Sequence, residues 1–239
     1  EAWLEAPGKG EGVLVAIVDT GIDATRDALK AGHEGLIDLT GAPVAADATA
    51  DPHGHGSLMA GIIAGRGDGK KTGFVGVAPG ARLLSVRVAD ERGGAPLHQV
   101  AQGILQAAER GAKVIYVGLG VRGRSKTLAS AVAAARARGS LVVAPAGNDG
   151  LDQVRSPACE IGALAVGGEG HDGGPYLMSN LDPDLRLLAP AEFVPAPARG
   201  RACFTEGTSS ASALVAGVAA LVWSRSPGLD PAAVERCLL

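Results

Sequence analysis

Apolar positions along this chain gather in short runs, mostly without alternating with polar ones. "VLVAIV" (13–18), "LLSVRV" (83–88), "KVIYV" (113–117), "LVVAP" (141–145) and "ALAVG" (163–167) are each five or six residues long. An alternating strand buries one face, whereas a strand apolar throughout is buried on both, as in a parallel sheet covered by helices. The intervening stretches carry a helical period. "PLHQVAQGILQAAERG" puts Leu97, Val100, Ala101, Ile104, Leu105 and Ala108 on one face and stops at Gly111. "SKTLASAVAAARARG" offers Ser125 as N-cap and Gly139 just past the last turn. Alternating strand and helix predicts an α/β fold with right-handed crossovers, and in such sheets ligands bind at the carboxyl ends of the strands.

Composition narrows the classes of function. At 239 residues the chain can bury a sizeable core, and no linker or repeat divides it, so one domain spanning 1–239 is expected. The 22 basic and 25 acidic residues leave a formal charge of −3, which provides no attraction for nucleic acid or an anionic membrane. With 36 glycines and 3% aromatics, tight turns and close helix packing are favoured over aromatic binding surfaces. Cys159, Cys203 and Cys237 are too few for a disulfide framework and lack metal spacing. The N-terminal "EAWLEAPGKGEG" has no basic stretch followed by an apolar core, and no apolar run reaches the roughly 18 residues of a spanning helix. The compartment stays open: cytoplasm, or the envelope or exterior if these residues come from a processed precursor.

The strand-end rule directs attention to "VAIVDTGID", where Asp19 follows the first apolar run. On its own, Asp19 reads equally as the cap of a strand-to-helix turn. "DPHGHGSLMAGIIAG" places His53 and His55 before a Gly- and Ala-rich helix; two histidines two apart fit a surface loop, general acid–base work or metal ligation without a third ligand. "FTEGTSSASALVAGVAAL" sets Ser209, Ser210 and Ser212 at the head of an apolar helix.

Together, "VAIVDTGID", "HGHGSLMAGIIAG", "VVAPAGNDG" and "GTSSASALVAGVAAL", in this order, resemble the signatures of the subtilisin-like serine proteases. The connectors "GVAPGARLLSVRV", "KVIYVGLG", "SPACEIGALAVGG" and "NLDPDLRLLAPAEFV" are similar too, so the resemblance runs from about Val13 to Val234. It implies a three-layer, doubly wound, mostly parallel sheet with helices on both faces. It also implies a serine endopeptidase with Asp19 as orienting carboxylate, His55 as base, Ser209 as nucleophile and Asn148 as oxyanion donor. The order Asp, His, Ser is the one subtilisin itself uses. The family's histidine is followed by Gly, a small hydroxyl residue, two variable positions and Ala-Gly; His55 fits this and His53 does not. Gly207-Thr208 precedes Ser209, while Ser210 is rotated by about 100° around the helix.

The resemblance further implies an extended peptide or protein substrate held by Gly118-Leu119-Gly120, with Ala146-Gly147 as the opposite wall of the first specificity pocket. It leaves room for a propeptide as a second partner. Gly118 stands where the family usually has serine, a change expected to be tolerated because main chain makes the contacts. Asp149 falls at the pocket rim and Arg155 near its base, and their opposite signs leave the preference open. Arg155 inward selects Asp or Glu, Asp149 selects Lys or Arg, and Arg155 paired with Asp149 or Asp152 selects neither.

Departures from the family pattern matter as well. The usual calcium carboxylate after the catalytic Asp is replaced in "TRDAL", and the calcium loop reads "GRGDGKKTGF" with Lys70 and Lys71 where oxygen ligands belong. Ammonium groups repel a dication, so no cofactor and no tight calcium site is expected, with Asp68 left for a weak one. Ser210 replaces the usual methionine and Ala213 the usual proline. Alanine there opens space for an incoming amine, which keeps peptide ligation or transpeptidation as an alternative; a non-catalytic binding module is another. Cys159 and Cys203 are either a disulfide or buried thiols. Family domains commonly continue with another strand or two where this chain stops at Leu239.

Overall fold

The computed structural model describes residues 8–41, 51–67, 74–183, 185–198 and 201–239. Asp68, Lys70 and Lys71 lie outside the described residues, as does the side chain of Asp27.

The five apolar runs form five neighbouring strands. They are β1 (Leu14–Asp19), β3 (Arg82–Arg87), β4 (Val114–Val117), β5 (Leu141–Pro145) and β6 (Ala163–Glu169). β2 (His33–Asp38) and β7 (Leu188–Pro190) close the two edges, giving a seven-stranded order β2-β3-β1-β4-β5-β6-β7. All pairings in this sheet are parallel. Both edge strands lay hidden in the sequence because neither is apolar throughout: "HEGLID" is half-buried, and "LAP" buries one residue of three. A second, antiparallel pair, β8 (Val194–Ala198) and β9 (Arg201–Thr205), was also not expected, since β8 carries two prolines. Proline gives the ladder no N–H and is tolerated in such a two-stranded edge pair.

Consecutive side chains of β1 point to opposite faces, and both faces are covered. After the short α1 (Asp27–Lys30), the helices α2 (His55–Ala64), α5 (Thr208–Arg225) and α6 (Pro231–Leu238) join one core with Val15 and Ile17. Leu14, Ala16 and Val18 join the other with α3 (Leu97–Glu109) and α4 (Lys126–Ala137). This is the expected three-layer arrangement. Each fully buried Val, Leu or Ile contributes about 1.5–3 kcal/mol relative to exposure, so the strand runs alone account for much of the driving force. The predicted ends hold as well: Ser125 Oγ accepts from the Leu128 N–H at 3.3 Å, and Gly139 takes φ of 85°.

β1 lies between β3 and β4, with Asp19 paired to Arg87 on one side and Val18 to Val117 on the other. The winding reverses there, so a crevice opens at the carboxyl end of β1. Cys159, Cys203 and Cys237 are free thiols, which corrects the disulfide option for the first two. Burial, helped by the neighbouring Glu160 carboxylate, pushes the Cys159 thiol up. Among the described residues no helix is long and apolar enough to cross a membrane.

Candidate active site

Asp19 is the last residue of β1 and fully buried. A carboxylate without water must be bonded to remain charged. Its Oδ1 accepts from the Thr20 N–H at 2.7 Å, and both oxygens lie 2.8 Å from Nδ1 of His55. His55 opens α2, and what brings the helix so close is Gly56: a Cβ there would fall 2.1 Å from the Gly21 carbonyl oxygen. The Asp19 charge raises the His55 pKa above its ordinary value, against the lowering effect of burial. Nδ1–H is thereby committed to Asp19, which leaves Nε2 free to accept.

A carboxylate that the sequence reading missed supports this pair. Asp51 is buried in the loop before α2 and accepts four hydrogen bonds: from Thr20 Oγ1 and the Gly54 N–H at 2.7 Å each, the Ser57 N–H at 2.8 Å and Ser57 Oγ at 2.5 Å. Thr20 Oγ1 in turn accepts from the Gly56 N–H at 3.0 Å, so the end of β1 and the first turn of α2 share one network. The available signal was an Asp shortly before a helix start, which reads as a cap.

Gly118, just past β4, borders both halves of the site. A Cβ there would lie 1.9 Å from Asp19 Oδ2 and 2.9 Å from Tyr116, so the Asp19 carboxylate occupies the space a side chain would need. This sharpens the expectation for Gly118: its main chain is not the whole of its role. Buried Tyr116 donates its hydroxyl to the Ser209 carbonyl at 3.3 Å, fastening the sheet to the first turn of α5.

Ser209, Asn148, Gly118, Gly120, Gly147 and Arg155 line a common cavity of about 140 Å³. The three serines of α5 separate here. Ser210 is buried and bonded to Thr205, and Ser212 is buried and donates to the Ser209 carbonyl at 3.0 Å, which leaves Ser209 facing the cavity. Asn148 is oriented by Thr208, whose N–H and hydroxyl donate to its Oδ1 at 2.9 and 3.0 Å. Its amide nitrogen is thus turned away from Thr208, and the Ser209 N–H, in the first turn, has no helical partner. A Ser209 Oγ to His55 bond is not among the hydrogen bonds of these residues, which run to Asp19 and to the Ser209 carbonyl. His53 is exposed, its ring 6.3 Å from that of His55 and edge-on to it. Ala146 is fully buried in the core, while Leu119 packs against it and stays half-buried.

Asp149 and Arg155 do not compete across the pocket but bond to each other, with both contacts at 2.6 Å. Arg155, then Arg122 and Asn180, hold the Asp149 carboxyl well below the usual carboxylate range.

The subtilase family profile matches residues 10–239. This chain belongs to the subtilase family. Over 219 residues it is 37% identical to M-protease of Shouchella clausii (strain KSM-K16) and 36% to Subtilisin Savinase of Lederbergia lenta, in each case over 91% of its length. Those alignments cover 56% of M-protease and 78% of Savinase, and 58% of the Thermostable alkaline protease of Halalkalibacterium halodurans, which is 38% identical. The subtilase thus spans little more than half the length of two of these relatives. The solved structure of Sphericase superposes with a TM-score of 0.88 at 27% identity, covering 98% of this subtilase and 84% of that chain. A cold-adapted subtilisin-like serine proteinase gives 0.84 at 28% identity, over 96% and 82%.

Proposed function

We propose that this subtilase is a serine endopeptidase that hydrolyses peptide bonds through an acyl-enzyme. The observation that carries the reading is the buried Asp19 carboxylate held on His55 Nδ1 at 2.8 Å beside the cavity that Ser209 faces. A serine hydroxyl is too weak a nucleophile unaided, so His55 Nε2 takes its proton as Oγ attacks the substrate carbonyl. Asp19 holds the tautomer and stabilises the imidazolium without taking the proton. The amide of Asn148 and the Ser209 N–H donate to the developing oxyanion, aided by the N-terminal dipole of α5. His55 then protonates the leaving amine, and water attacks the acyl-enzyme by the same route in reverse.

The substrate lies extended along Gly118-Leu119-Gly120, pairing through main chain with the segment that runs on from the carboxyl end of β4. Ala213 is fully buried in the core and does not itself line the cavity; mass spectrometry with an added amine nucleophile separates ligation from hydrolysis. Labelling by a fluorophosphonate tests the reading: Ser209 is expected to be modified in the native chain and unmodified in Ser209→Ala. Absence of labelling in the native chain would favour the non-catalytic binding module.

A further inference from the structure

Hydrogen bonds in the cavity beside Ser209 are shared unevenly. Arg155 sits between its two glycine walls: a Cβ on Gly120 would lie 3.1 Å from Arg155 Cβ, and one on Gly147 would lie 3.0 Å from its Cγ and Cδ. The stem of Arg155 therefore fills the width that an aromatic side chain would need. Its guanidinium donates through Nε and Nη2 to Asp149 at 2.6 Å each, and through Nη1 to the Gly120 carbonyl at 3.1 Å. Asp149 also accepts from Arg122 Nη2 at 3.0 Å and from Asn180 Nδ2 at 3.2 Å.

A carboxylate has roughly four lone-pair sites and a guanidinium about five N–H bonds. On Asp149 each oxygen already accepts two donors, whereas Arg155 uses three N–H bonds and keeps the others. The cluster has donors to spare and no acceptor. With two guanidiniums, Arg122 and Arg155, against one carboxylate, its charge is 2 − 1 = +1.

A one-to-one pairing of Arg155 with Asp149 would select neither charge, as expected from the sequence, but the unused donors and the second guanidinium of Arg122 leave an excess: we infer that this pocket selects an acidic residue, Glu or Asp, immediately before the scissile bond. The inference rests on the reading of Ser209 as nucleophile, since that places the side chain of the attacked residue in this cavity. A substrate carboxylate accepts the unused Arg155 N–H bonds and neutralises the cluster. A Lys or Arg meets like charge and a saturated carboxylate, and Phe meets the Arg155 stem. Arg155 is the closer and drier cation: its side chain is 29% exposed, against 70% for Arg122, so salt screens it less.

The test is a set of peptides identical except for Glu, Gln, Ala, Phe or Lys before the scissile bond. The Glu and Gln members have the same shape and isolate the charge. A half-buried ion pair falls between the exposed and buried ranges, so kcat/KM for Glu is expected about tenfold above Gln, with Lys and Phe below Ala. Arg155→Gln removes the nearer cation while Asp149 stays paired with Arg122, so the preference for Glu over Gln should be lost. Asp149→Asn keeps Arg155 and should retain the preference for Glu, which leaves a variant test standing if Arg155→Gln does not fold. Gln or Lys cleaved as well as Glu by the native chain would overturn the inference while leaving the endopeptidase reading intact. Cleavage of none of the five, with no fluorophosphonate labelling of Ser209, would overturn both.

Discussion

Around His55 the polar groups are partnered inside the fold, whereas around Arg155 the partners come from surface loops. Asp19 and Asp51 are buried acceptors whose donors sit on the turn after β1 and around the start of α2. Asp149, Arg122, Arg155 and Asn180 come from three irregular segments, and Arg122 is largely exposed. The first arrangement holds one proton position rigidly, because unsatisfied groups in low dielectric are expensive. The second leaves donors unused, and that spare capacity is what a substrate can read. Rigidity serves the chemistry, and incomplete pairing serves recognition.

The largest effect should come from breaking the buried half at its tightest point. In Asp19→Asn the buried carboxylate on His55 Nδ1 is exchanged for an amide that favours the wrong imidazole tautomer, and kcat is expected to drop about 10⁴-fold, as in the measured triad case. A kcat within tenfold of the native value would show that Asp19 does not orient the base. The change should leave the Glu over Gln ratio intact, separating the two halves.

Next is Asn148→Leu. Loss of the corresponding amide in subtilisin, a measured case, costs about 2.7–4 kcal/mol of transition-state stabilisation, and the same order is expected here. It should appear in kcat with KM little changed, because the amide meets an oxyanion and not the ground-state carbonyl. A rise in KM at constant kcat would move Asn148 from chemistry to binding.

Asp51→Asn should produce a smaller and more diagnostic change. The native His55 pKa is raised, chiefly by Asp19 and to a lesser degree by Asp51, so kcat/KM should fall as pH drops through a value above 6.5. Removing the Asp51 charge weakens the pull on the imidazolium, His55 stays neutral to lower pH, and the acid limb moves down. The amide nitrogen also replaces one of two oxygens that each accept two donors, leaving either the Thr20 hydroxyl and Gly54 N–H or the two Ser57 donors without their acceptor, at a cost of about 1–3 kcal/mol per unpaired donor. An unmoved acid limb with lowered stability would reduce Asp51 to a purely structural cap.

The smallest effect concerns calcium. From Lys70 and Lys71 in the loop where the family supplies ligands, millimolar calcium should change Tm little. A strong rise would show that oxygen ligands are found in spite of those charges.

Five strands and four helices were legible because each rests on an apolar run or a helical period, whereas Asp19, His55, Asn148 and Ser209 were singled out by the resemblance of four ordered motifs to the subtilases. β2 and β7 were not, since an edge strand has one neighbour and need not be apolar throughout. The proline-bearing β8 reads as a loop until β9 pairs with it. Tyr116 looked like one more apolar strand residue, yet its hydroxyl reaches the first turn of α5. Asn180 sits in a segment with no motif and meets Asp149 only when the chain folds back.

What the chain by itself determined is the layered fold and the motif positions at its strand ends and helix starts, because strand burial, helix periodicity and short motifs are set by neighbours in sequence. Only the tertiary structure decided how Asp149 and Arg155 divide their hydrogen bonds, that the Asp19 carboxylate fills the space over Gly118, and that Asp51 binds two elements together. Those outcomes depend on distances between segments far apart in the chain, and on how many donors converge on one buried oxygen.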